Sequence, residues 1–166
     1  MTDIVDSQTR SRMMAGIRGK DTKPELALRR SLHALGLRYR LHVGGISGKP
    51  DLVLPKYRAV IFVHGCFWHR HPDCRYASTP STRAEFWASK FAANMARDNA
   101  VRSNLLLDGW RVATIWECAV RSKAGAEAAG GVVSEWLHGT DRELDLGEAY
   151  FNHFEEQAEA VKLADR

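Results

Sequence analysis

Gly48-Lys49-Pro50-Asp51-Leu52-Val53-Leu54-Pro55-Lys56-Tyr57-Arg58-Ala59-Val60-Ile61-Phe62-Val63-His64 decides the fold. Leu52 to Leu54 reads as a short strand, Pro55 to Arg58 as a turn, and Ala59 to Val63 as a second strand with no polar residue. A strand apolar at every position suits the middle of a sheet covered on both faces. Asp51 stands at the entry to the first strand, where a carboxylate serves no apolar core. A Cys/His-rich loop, His64 to Cys74, leaves the second strand.

The flanks supply helices. Thr22 and Glu25 form a capping box with Pro24 in the first turn. Leu28, Leu32 and Leu35 share one face, and Gly36 is a stop. Arg38 to Val43 reads as extended. A long helix is expected from Thr82 to Asp108, opened by Thr82 and Glu85 and closed by Gly109. A strand follows over Trp110–Trp116, then a helix over Ala124–Leu137 weakened by Gly130-Gly131, and an acidic helix over Gly147–Ala164. The order predicts an α/β fold: a mixed central sheet flanked by helices. Three parts are expected: a basic arm over 1–20, a core over 21–137 and an acidic helical extension over 138–166.

The chain has 166 residues and a formal charge of +4, unevenly spread. Arg10, Arg12, Arg18, Lys20, Lys23, Arg29, Arg30, Arg38 and Arg40 face only Asp21 and Glu25 between Thr9 and Arg40. That stretch suits phosphate contact, or it is a solvated basic face. No apolar run is long enough to span a membrane, and the first residues lack the features of a signal peptide, so a cytoplasmic protein is expected. Three cysteines do not make a disulfide framework.

Cys66, His71, Cys74 and Cys118 make a three-thiolate, one-imidazole set, the pattern of a closed structural zinc site. Either His71 or His69 can supply the nitrogen, and the cysteines can also be read as small buried hydrophobes. Asp51, with the backbone carbonyl of Val63, offers the oxygen ligands that Mg²⁺ accepts. His64 and His69 flank the strand end, and neutral imidazole is a common general base. Glu25 could orient a water, or only complete its capping box. Asp51 could also do no more than cap a turn.

The run Gly48-Lys49-Pro50-Asp51 through Val60-Ile61-Phe62-Val63-His64-Gly65-Cys66-Phe67-Trp68-His69 resembles the Vsr, or very-short-patch-repair, endonucleases. So do Thr9-Arg10-Ser11 with Met14, Asp21-Thr22 with Glu25, Arg83 with Glu85-Phe86-Trp87, Asn94 with Arg97-Asp98, and Gly109-Trp110-Arg111-Val112 with Trp116-Glu117-Cys118. The resemblance covers roughly residues 7 to 121. It implies a restriction-endonuclease-like core and a strand-specific nick beside the T of a T:G mismatch in double-stranded DNA. By resemblance, Asp51 and the Val63 carbonyl bind magnesium, His69 is the general base, His64 assists at the phosphate, and Glu25 bonds metal-bound water. Cys66, His71, Cys74 and Cys118 bind zinc. Phe67 and Trp68 wedge into the base stack, Met14 enters the duplex on the arm, and Lys90 reads the wobble pair. A monomer is implied, with mismatch-repair proteins and a companion cytosine methyltransferase as partners.

Two departures stand out. Val63 lacks the hydroxyl of threonine found in some relatives, and Pro72-Asp73 lengthens the loop before Cys74. Phe67 and Trp68 could instead pack on the metal loop. Two other functions fit the same residues: a nicking enzyme of restriction type acting on matched sites, and a zinc-stabilised DNA-binding module without catalysis.

Overall fold

A computed structural model describes residues 6–16 and 19–152. Helix α1 (Ser7–Ala15) is capped by Asp6, whose carboxylate accepts the N–H groups of Gln8 and Thr9. Helix α2 (Lys23–Ala34) starts at Thr22, as its capping residues predict. Strands β1 (Leu52–Leu54) and β2 (Ala59–His64) pair antiparallel, with Leu52 opposite Ile61. A one-turn helix α3 (Cys66–His69), a long helix α4 (Ala84–Leu107) and strand β3 (Arg111–Trp116) follow. Helix α5 (Lys123–His138) leads to strand β4 (Glu143–Leu146). The sheet runs β1-β2-β3-β4, with β2, β3 and β4 parallel.

Side-chain alternation along the strands builds three layers. Leu52, Leu54, Ala59, Ile61, Ala113 and Ile115 face α2 and α5 through Leu28, Leu32, Ala126, Ala129 and Val133. Val53, Val60, Phe62 and Val112 face the opposite way, onto Val101 and Leu105 of α4. Strand β2 is thus covered on both sides, and its uninterrupted apolar run is the consequence. No helix among the described residues is long and apolar enough to cross a membrane.

Four local expectations change. Helix α4 has no capping box: its N-cap is Arg83, at φ 54°, with no side-chain cap bond. Arg83 places its guanidinium 4.4 Å from the Phe86 ring instead. Only Arg40 of the Arg38–Val43 segment joins the sheet, by a bridge to Val53, while His42 turns the chain at φ 53°. Phe67 and Trp68 lie on helix α3 rather than in a loop. Within the predicted acidic extension, β4 completes the sheet before residues 148–152 turn helical. The remainder of the predicted last helix lies outside the described residues.

Helix α5 passes through Gly130-Gly131 unbroken. A Cβ at Gly130 would fall 2.0 Å from Ser31 Oγ and 3.0 Å from Ser31 Cβ. The glycine therefore lets α5 lie directly on α2. Gly130→Ala should lower stability by about 1–3 kcal/mol through overpacking, against the roughly 1 kcal/mol that alanine gains in an open helix. Ser31→Gly in the same chain should restore much of the loss. Denaturant unfolding checks both, and a Gly130→Ala protein more stable than the parent would show that the helices are not in forced contact.

Candidate functional site

Antiparallel pairing of β1 with β2 carries Asp51 to the far end of β2. There its Oδ2 accepts the Val63 N–H at 2.7 Å. The carboxylate thus reaches across the sheet and does not cap a turn. Its Oδ1 has no hydrogen-bond partner among the described residues. Burial pushes the Asp51 carboxyl up to about 6, and the Glu25 charge adds to the rise. The Val63 N–H, Arg29 and His69 oppose it.

Glu25 is buried at 3 % exposure. Its Oε2 accepts the Asp21 N–H at 2.9 Å and Arg29 Nη2 at 2.9 Å, and its Oε1 accepts the Thr22 hydroxyl at 3.1 Å. Arg29 also binds Asp21 at 2.6 Å. The return bond of the capping box therefore goes to Asp21 and not to the N-cap backbone. Glu25 serves the start of α2 and lines the same cleft as Asp51.

Two imidazoles close this end of the sheet. His64 and His69 stack with ring centroids 3.8 Å apart and planes 7° from parallel. His69 Nδ1 lies 2.6 Å from Asp98 Oδ2 on α4. Burial, helped by His69, pulls the His64 pKa down to about 3, so this ring is neutral at working pH. Burial pushes Asp98 upward, but the His69 hydrogen bond and nearby positive charge outweigh it and hold the carboxyl below its usual range. An ionised Asp98 is acceptor only, so His69 Nδ1 carries the hydrogen that joins them.

The Cys66, Cys74 and Cys118 thiols meet His71, not His69. His71 Nδ1 lies 3.7 Å from Cys66 Sγ and 3.4 Å from Cys118 Sγ. Ligands about 2.0–2.3 Å from a tetrahedral ion stand roughly 3.5–3.8 Å apart, so the set fits a metal of the thiolate-binding class. His64, His69 and Asp98 also cluster. Parallel stacked imidazoles cannot both hold one ion in their ring planes, so this second cluster is a hydrogen-bonded His69–Asp98 pair with the His64 ring stacked on it.

Phe67 and Trp68 are half-buried. Phe67 sets its edge against Trp68, Trp87 and Phe91 at centroid distances of 5.0, 5.5 and 5.2 Å. The Lys90 ammonium lies 5.6 Å from the Trp68 ring. A cleft of about 1070 Å³ joins Met14, Trp68 and Lys90 to Asp51, His64 and His69, with Arg97 and Arg102 on its wall.

The family profile "DNA mismatch endonuclease Vsr" matches residues 2–76. The chain is 43% identical over 141 residues to DNA mismatch endonuclease Vsr of Escherichia coli, covering 84% of this chain and 90% of that one. The chain belongs to the Vsr endonuclease family. Two further relatives are named Type II nicking enzymes. V.XorIIP of Xanthomonas oryzae pv. oryzae is 44% identical over 77% of this chain and 93% of its own. V.NmeAIP of Neisseria meningitidis is 41% identical over 75% and 88%. The protein is accordingly a DNA endonuclease of the Vsr type, a hydrolase whose partner is DNA, and its family implies a divalent metal.

In this Vsr-family site, Asp98 and Arg29 are the residues that sequence reasoning left without a role. Asp98 lies 29 positions from His69, and only helix α4 packing beside α3 brings them together. Arg29 looked like one of many basic residues, yet it is 7 % exposed and paired twice.

The raised Asp51 pKa has a cost in stability. A charged, buried carboxylate opposes folding above about pH 6, and that opposition fades as pH falls through about 6 toward the usual carboxylate value. Without divalent cations, Asp51→Asn should therefore stabilise the protein at pH 8 by on the order of 2–3 kcal/mol, and by little at pH 4. The amide oxygen can still accept the Val63 N–H. Unfolding of the chelator-treated pair at both pH values tests this; equal stability at pH 8 would contradict it.

Proposed function

We propose that this protein nicks one strand of duplex DNA beside the T of a T:G mismatch, the product of 5-methylcytosine deamination, and so starts very short patch repair. The observation that carries the chemistry is the Asp98–His69 hydrogen bond, with His64 stacked on His69, on the same cleft as Asp51. The mismatch is supported by the relative named a mismatch endonuclease and by the Trp68 ring on that cleft.

Asp51 Oδ1 and the Val63 carbonyl would hold Mg²⁺. When bound, that ion neutralises charge on the phosphate and on the leaving oxygen. His69 Nε2 takes a proton from the attacking water, and Asp98 holds the ring in the right tautomer and steadies the imidazolium that forms. His64, neutral and stacked on His69, limits its rotation and faces the phosphate. Glu25, pinned by Arg29 and Asp21, orients water at the edge of the site. The Cys66, His71, Cys74 and Cys118 set would hold structural Zn²⁺. Phe67 and Trp68 would enter the base stack beside the mismatch, Met14 would follow from the arm, and Lys90 would read the wobble pair. Stacking of that kind is worth roughly 1–3 kcal/mol per base, and a mismatched step opens at lower cost.

A second reading is a nicking enzyme of restriction type acting on matched sites; the relatives named Type II nicking enzymes share the nicking but name no mismatch. Duplexes that differ only in T:G against T:A separate the two. With magnesium, the parent should nick the T of T:G far faster than either strand of T:A. Asp51→Ala should abolish nicking while DNA affinity at fixed salt changes little, and Asp98→Asn should cut the rate by about 10²–10⁴-fold. Equal nicking of T:G and T:A duplexes would sink the mismatch reading. Full activity of the Asp51→Ala protein would sink the mechanism.

A further inference from the structure

Residues 145–148, which end β4 and follow it, lie beside the Cys₃His centre. Gly147 lies against His71: a Cβ there would fall 2.4 Å from Cε1 and 2.7 Å from Nε2, with Cys118 Sγ at 3.7 Å. The next N–H, from Glu148, donates to Cys118 Sγ at 3.2 Å. The Glu148 carboxylate meets Arg75, next to Cys74, at 3.1 Å. Two residues before Gly147, Asp145 accepts the Trp116 indole N–H at 2.9 Å. Trp116 in turn stacks on the His71 ring, with centroids 4.3 Å apart and planes 11° from parallel.

Three thiolates around a divalent ion leave one surplus negative charge, in a place where Cys66 and Cys118 are buried. Buried charge needs donors, and groups that bond to ligand atoms govern how firmly a metal is kept. The Glu148 N–H is such a donor. It comes from the residues that follow β4, so its position depends on β4 pairing with β3. Gly147 is the residue that allows the approach, because any side chain would strike the imidazole.

We infer that residues 145–148 are an outer layer of the metal centre, and that zinc retention depends on this segment docking through Gly147 and the Glu148 N–H. The inference rests on the zinc reading above and gives the stretch after α5 a task in the nuclease core.

Glu148 is the first residue of a helical turn, a position where proline is tolerated. Glu148→Pro therefore deletes the N–H, whereas Glu148→Ala deletes only the carboxylate. After elemental analysis of the parent, zinc transfer to excess chromogenic chelator is timed for the parent and three variants. Glu148→Ala should release zinc near the parent rate, and Glu148→Pro and Gly147→Ala about tenfold faster or more. In the zinc-loaded parent, the Glu148 amide should exchange slowly with deuterium, and zinc removal should speed it. The proposal is overturned if Glu148→Pro releases zinc no faster than Glu148→Ala, if Gly147→Ala keeps zinc as the parent does, or if the parent amide exchanges freely. A parent that carries no zinc overturns the zinc reading along with it.

Discussion

The site depends on one hydrogen bond, from the Val63 N–H to Asp51 Oδ2. Asp51 lies before β1 and Val63 near the end of β2, 12 positions apart in sequence. The antiparallel register places them side by side, at the strand end from which His64 and helix α3 depart. A one-residue slip would turn every side chain of β1 to the opposite face, taking Leu52 and Leu54 out of the α2–α5 core. Core packing therefore enforces the register, and the register sets the carboxylate. Burial raises the Asp51 pKa, so the bond holds in place a group that the fold would otherwise prefer neutral.

Much of this was legible in the sequence because the signals are local. The β1–β2 hairpin, the Thr22 cap, the long helix ending at Gly109 and the apolar run of β2 each follow from residues a few positions apart. The Cys₃His set was legible as chemistry, although spacing left the nitrogen open between His69 and His71. Pairing settles it: Asp98 occupies His69, and His71 is left to the thiols. What escaped was contact across the chain or pattern masked by composition. In Glu143-Leu144-Asp145-Leu146 the acidic residues hid a four-residue strand, whose Leu146 is fully buried beside β3. Asp98 gave no periodic signal on a helix rich in polar residues.

The two histidine-bearing clusters show how geometry separates similar chemistry. In both, ligand-capable atoms lie within 4.8 Å of one another. In the Cys₃His cluster the thiols surround one ring nitrogen, and Trp116 stacked on His71 restrains that ring. In the other, the two imidazoles lie face to face and the carboxylate bonds to one of them. The first arrangement converges on a point where an ion can sit. The second does not converge on a point: the Asp98 bond engages His69 Nδ1, and the stack sets the two rings one above the other.

Helix α3 ties these functions together. Successive residues of a helix point about 100° apart, so four residues in one turn reach four directions. Cys66 is fully buried in the Cys₃His cluster, Phe67 and Trp68 join the aromatic group with Trp87, and His69 turns to Asp98 and His64. Arg70 at φ 56° then swings the chain back so that His71 rejoins Cys66. With so short an element, no side chain can shift without moving the others. A displacement at Cys66 would rotate the turn and carry His69 off the Asp98 oxygen. On the proposed mechanism the Cys₃His cluster would therefore bear on catalysis without touching substrate, by holding one end of the turn whose other end is the proposed base.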